Sequence, residues 1–161
     1  MTETLEHLRT PLYLLATLAL AGQAGTYFTW ATGVMPGLAR TTDRTFVEAM
    51  QQVNVAIVNP VFLATFVGAP VLAGIAVVVA PDAARPWAAA ALGLAIATVV
   101  VTAAANVPLN DALEAAGRVG SIQDLSAVRA DFEESWVRWN VVRVLTSAGA
   151  LGSFAVALLR A

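Results

Sequence analysis

Apolar residues run along this chain in four stretches, each broken near one end by side chains that hydrocarbon does not accept without a partner. A helix needs about 20 mainly apolar residues to cross roughly 30 Å of hydrocarbon. Segments 11–32, 55–80, 87–107 and 136–159 meet that requirement. The interruptions fall in three clusters: Asn54 to Pro60 (NVAIVNP), Asn106 to Asn110 (NVPLN) and Trp136 to Arg143 (WVRWNVVR). A polar group in lipid costs free energy unless something satisfies it. The clusters therefore predict a membrane-embedded pocket.

Prolines and glycines set the expected breaks. Gly33 to Gly37 (GVMPG) should end the first helix in a tight loop. From Thr41, TTDRTFVEAMQQVNVAIVNP predicts an amphipathic helix, capped by Thr42 or Asp43, that leads directly into the second span and is kinked at Pro60 and again at Pro70. The short turn Pro81 to Pro86 makes spans two and three an antiparallel hairpin, and Pro108 should end span three. Ser121 to Glu134 predicts a second amphipathic helix, with Ser121 as cap and Asp124 at the capping-box position. Abundant Ala and Gly allow close helix approach, the packing used where lipid supplies no hydrophobic drive. The expected fold is all-α, one domain over residues 1–161: a four-helix transmembrane bundle with two amphipathic interfacial helical segments.

Composition sharpens this. Hydrophobic residues make up 58% and charged ones 12% of the 161, against about half and a quarter in ordinary globular domains. Nine arginines and no lysine, spread against eleven acids, form no basic patch, so nucleic acid is not an expected partner. Membrane lipids are, and self-association into a homo-oligomer stays open. The chain has no cysteine and one histidine, His7, which leaves no ligand set for haem, copper, non-haem iron or zinc. No metal site and no tightly held cofactor are expected. Ala19-Leu20-Ala21 imitates a signal-peptide cleavage site, but the leader MTETLEHLR sets Glu3 and Glu6 against Arg9, a poor positive region. Retention of this segment as a span is expected. Arg9, Arg85 and Arg160 lie in short segments on the terminal side, where the positive-inside rule applies best. Arg40, Arg44, Arg118, Arg129 and Arg138 lie on the other side in longer segments, so count favours that side and density the terminal one; the termini are expected on the cytoplasmic side of the cell membrane.

Trp136, Trp139, Asn140 and Arg143 fall at i, i+3, i+4 and i+7, which predicts one helical face. An arginine two turns inside a span must snorkel, pair with an acid or line a wet cavity. Glu48, Gln52, Val55 and Asn59 form a second helical stripe, with Glu48 as a possible partner at the pocket mouth, unless it is simply solvated and Asn59 is interhelical glue. Asn106 and Asn110 flank Pro108 and could cap the broken helix end, offer donors to a ligand oxygen, or both. Thr26, Tyr27 and Trp30 add an aromatic wall, or an interfacial aromatic belt.

Taken together, GTYFTWATGVMPGL, FVEAMQQVNVAIVNPVF, NVPLN and WVRWNVVR resemble the anthrone oxygenase family of small four-span membrane proteins over nearly the whole chain. The resemblance implies a membrane fold and, for the family's characterised fungal branch, oxidation of a polyketide anthrone to an anthraquinone with dioxygen. It carries over Asn59, Asn106, Asn110, Trp139, Asn140 and Arg143 as pocket members. An anthrone has an acidic methylene, and its carbanion can itself give an electron to dioxygen. Such a monooxygenase needs a base, donors for the oxyanion, aromatic walls and a dry site. On this reading Arg143 and Asn140 stabilise the oxyanion, Trp136 and Trp139 stack the lipophilic aromatic ligand, and Glu48 or Tyr27 removes the proton. The competing class is a non-catalytic membrane protein that binds a lipophilic ligand or partner helix through the same groove. A transporter is less favoured, because four short spans show no convincing inverted repeat.

Overall fold

A computed structural model describes residues 2–161, with side chains from Leu8 onward. The histidine and acids of the leader thus lie outside the described side chains. The chain is helical throughout, with no strand among the described residues. Helix α1 (Thr2–Thr29) passes into a π-helical turn (Trp30–Val34) and a short α2 (Met35–Leu38). Then come α3 (Asp43–Ala56), α4 (Pro60–Val79), α5 (Arg85–Val101), a second π turn (Thr102–Asn106), α6 (Val107–Ala115) and α7 (Leu125–Leu159).

Two expected breaks are absent for the same reason. Proline lacks an N–H and its ring crowds the carbonyl four residues back. Pro36 and Pro108 each follow a π turn by two residues, so the crowded carbonyls, those of Thr32 and Ala104, lie within the widened turn. The helix therefore continues through GVMPG to Leu38, and through NVPLN to Ala115. At Pro60 the opposite happens. The residue before proline avoids the helical region, and Asn59 is extended (φ −124°, ψ 161°). Its Oδ1 accepts from the Val61 and Phe62 amides at 3.1 and 3.0 Å, a cap worth about 1 kcal/mol. The expected continuous helix is thus split into α3 and α4. At the other expected helix start, Asp124 and not Ser121 is the cap, accepting from Ala127 N at 2.9 Å. From there α7 runs unbroken through what the pattern divides into an interfacial helix and a span.

Among the described residues three helices are long and apolar enough to cross a membrane: Pro60–Val79, Arg85–Ala115 with its π turn, and Leu125–Leu159. Helix α1, which holds the expected first span, is not among them, since Thr17, Gly22, Gln23, Gly25 and Thr26 dilute its apolar run. It packs along α4 and α7, while α5 packs along the same two helices. Two contacts, Asn140 on Tyr27 and Phe154 on Tyr13, make α1 and α7 antiparallel. The core between the helices is built largely of small residues, Ala16, Ala69, Ala76, Ala91, Ala95 and Ala150, around Tyr13, Leu20 and Phe154. Outward-facing Leu18, Val61, Val71, Val78 and Leu145 are more than half exposed, a surface suited to lipid and poor for water.

One end is closed by a second apolar cluster. Met35, Phe46, Val47, Met50, Leu113, Phe132 and Trp136 are buried together where α2, α3 and α6 fold over α7. Gln51 stitches α3 to the end of α6 by donating to the carbonyls of Leu113 (3.0 Å) and Gly117 (2.9 Å). Arg129 straps the α2–α3 connection to α7, donating to Ala39 O, Thr41 O, Asp43 and Glu133.

Candidate functional site

Beneath that cap lies a cavity of about 240 Å³, walled by α1, α3, α4, α7 and the two π turns with their flanking residues. Its polar end is formed by Tyr27 and Arg143, which are 2% and 6% exposed. Burying a guanidinium without a counter-charge costs several kcal/mol, and among the described residues no carboxylate pairs with Arg143. Instead Nη2 donates to Asn140 Oδ1 at 2.9 Å. The guanidinium also lies 4.6 Å from the Tyr27 ring centroid and 4.9 Å from that of Trp136, contacts worth about 2 kcal/mol each when desolvated. Nε has no protein partner, and neither does the buried Tyr27 hydroxyl. The charge is held by quadrupoles and one amide, leaving hydrogen-bonding capacity beside the cavity.

Asn140 works in both directions. Its Oδ1 orients Arg143, while its Nδ2 donates to the Tyr27 carbonyl at 3.2 Å and so locks α1 to α7. Trp136 is fixed in the same manner: Nε1 donates to Asn110 Oδ1 at 2.9 Å, and Asn106 Nδ2 donates to the Trp136 carbonyl at 3.3 Å. Trp30 stands against Trp136 with ring centroids 5.3 Å apart. The π turn ahead of Pro108 carries the helix on to Asn110, which lets both asparagines of NVPLN reach α7. Opposite, Phe62 and Phe66 stack at 5.5 Å on α4 and supply a flat apolar wall.

Of the residues singled out from the sequence, Thr26, Tyr27, Trp30, Asn110, Trp136 and Arg143 line this cavity. Asn106 and Asn140 are buried behind it and hold lining groups in place. Three others lie elsewhere. Trp139 is 41% exposed and does not line it, because three residues fall about 60° short of a full turn and carry its side chain to the edge of the stripe. Asn59 caps α4. Glu48 is exposed and lines a separate polar cleft with Arg44, Glu114 and Arg118, so it is not brought to Arg143.

Asn54, the first residue of the NVAIVNP cluster, lines the cavity from α3 with its Nδ2 buried and unpartnered, although no ligand role was assigned to it. The signal was its spacing from Val47 and Met50, seven and four residues back, which places an amide at the end of a buried stripe. Gln23, one turn from Tyr27, is 1% exposed with neither amide atom bonded to protein. A lone glutamine in an oily run was its only mark. Among the described residues no three His, Cys, Asp or Glu side chains gather as a metal site.

No curated protein and no solved structure matches the chain. The family model for anthrone oxygenase matches residues 46–153, from α3 into α7, which includes Asn54, Asn106, Asn110, Trp136, Asn140 and Arg143 but not Tyr27 and Trp30 of the preceding segment. With more than half of its length matched, this chain belongs to the anthrone oxygenase family.

Proposed function

We propose that α1 crosses the bilayer with the other three long helices to give a four-span bundle with cytoplasmic termini, and that its cavity oxidises a lipophilic polyketide anthrone or related aromatic to a quinone with O2. The observation that carries this reading is Arg143: a buried guanidinium without an acid partner, oriented by Asn140 and facing a cavity with aromatic walls. At about 240 Å³ the space is a little below the roughly 300–1,000 Å³ of drug-sized sites, which suits one flat fused-ring molecule.

In the proposed reaction the Tyr27 oxygen, as phenolate, accepts a proton from the substrate methylene. Arg143 stabilises the resulting carbanion, whose charge is delocalised onto the ring carbonyl oxygen. The carbanion gives one electron to O2, and the radical and superoxide combine at the former methylene carbon. The peroxide takes up the proton held by Tyr27, then loses water across its O–O and C–H bonds. One oxygen atom ends in the new carbonyl and the other in water. The substrate supplies all four electrons, and the protein supplies donors and a dry, pre-shaped site.

The test is oxygen uptake by the purified, detergent-solubilised, metal-stripped protein with emodin anthrone, against Arg143→Gln and the uncatalysed background. Uptake above background that is lost in the variant supports the reading. Saturable binding with no uptake above background would make the protein a binder of lipophilic aromatics and not an oxygenase.

A further inference from the structure

The cavity carries Tyr27, Trp136 and Arg143 in the buried part of its lining, and the exposed part is apolar. We propose that its ligand enters sideways from the hydrocarbon of the bilayer, through a mouth between Leu63 on α4 and Ala103 and Val107 on the opposite helix. This rests on the ligand site proposed above but not on its chemistry.

Four lining residues are exposed: Val58, Leu63, Ala103 and Val107. All are apolar. Leu63 and Val107 are each 42% exposed and Val58 is 66% exposed, whereas Tyr27, Trp136 and Arg143 at the inner end are almost completely buried. Leu63 lies eleven residues before Gly74, three helical turns along one face. A side chain at Gly74 would meet Leu92 of α5 at 3.8 Å, so this face of α4 looks toward α5. Further along, Leu63 and Ala103 both line the cavity. There the π turn Thr102–Asn106 brings Ala103 and Val107 to the rim.

Where α2, α3 and α6 fold over α7, the buried cluster of Met35, Phe46, Met50, Leu113 and Phe132 covers the cavity, with α3 sewn to α6 by Gln51 and strapped to α7 by Arg129. On the other flank, a side chain at Gly22 of α1 would lie 3.2 Å from the Thr65 methyl of α4, so those helices are already in tight contact. Leu63 and Ala103 both belong to helices apolar enough to cross a membrane, so the open side faces acyl chains. A ligand that partitions into lipid meets an apolar entrance first and polar donors last.

The test uses the full chain in phosphatidylcholine vesicles, with Trp87 and Trp139 replaced by phenylalanine so that Trp30 and Trp136 report. Unsubstituted anthrone is delivered from donor vesicles, and the onset of quenching is followed. Ala103→Phe and Leu63→Phe should slow onset on the order of tenfold, a change in association rate. Ala104→Phe, on an exposed position outside the cavity lining, should behave as the parent. Val107→Ala, a small and benign change, should speed onset. Unchanged onset in all three mouth variants would overturn lateral entry, whatever the turnover. Quenching without oxygen uptake would sink the oxygenase chemistry and leave the entrance standing, and no saturable quenching in the parent would overturn the ligand site and the entrance together.

Discussion

Arg129 and Arg143 lie on the same helix, four turns apart, and both are largely withdrawn from solvent. Arg129 is saturated. It pairs with Glu133 at 2.6 Å and Asp43 at 3.0 Å, donates to two loop carbonyls, and lies 4.6 Å from the Phe46 ring centroid. Arg143 has one amide, two aromatic rings and an unpartnered Nε beside a cavity. The first arginine is used up in tying α2 and α3 to α7. The second is held in place without being used up, as electrostatic catalysis requires of a preorganised group.

Arg143→Gln should lower oxygen-consuming turnover by about 100-fold or more, the usual loss when a principal oxyanion donor goes, with the thermal midpoint in detergent little changed because the lost ring contacts are offset by removal of a buried, unpaired charge. Arg129→Gln should do the reverse. It leaves Asp43 and Glu133 without their partner and should cost about 2 kcal/mol in thermal unfolding, less than a fully buried pair because Asp43 is 43% exposed. Asn59→Ala should cost about 1 kcal/mol through loss of the α4 cap, again visible in unfolding and not in turnover at saturating ligand. Glu48→Gln sharpens the proposed assignment of the base. With Glu48 in a different cleft, turnover should stay within about twofold of the parent, a surface-type effect, and a large loss would return the base role to it.

The apolar stretches were legible because a bilayer demands length and little else, and the polar clusters because amides and guanidinium are costly there. Tyr27, Trp30, Asn110, Trp136 and Arg143 meet in one cavity, and Asn106 and Asn140 support it from behind. What was not legible is local geometry. A proline in sequence signals a helix end, but Pro36 and Pro108 sit behind π turns that absorb them, and this carries Asn110 onto Trp136. Spacing placed Trp139 with Arg143, but a stripe over two turns is wide, and packing decides which edge is buried. Glu48 and Asn59 share a stripe only if the helix is continuous. The extended backbone at Asn59, imposed by Pro60, ends that register. Gln23 lies within a run whose apolar character hides a single amide.

The central claim is that the unsatisfied capacity of Arg143 belongs to a ligand. It is tested most directly by titrating emodin, the quinone product of emodin anthrone, against vesicle-reconstituted parent, Arg143→Gln and Arg129→Gln at a temperature where all three are folded. The account predicts affinity weakened on the order of tenfold or more in Arg143→Gln, the worth of one charge-assisted hydrogen bond, and unchanged affinity in Arg129→Gln. Equal affinity in the parent and Arg143→Gln would contradict it and make Arg143, like Arg129, a structural residue.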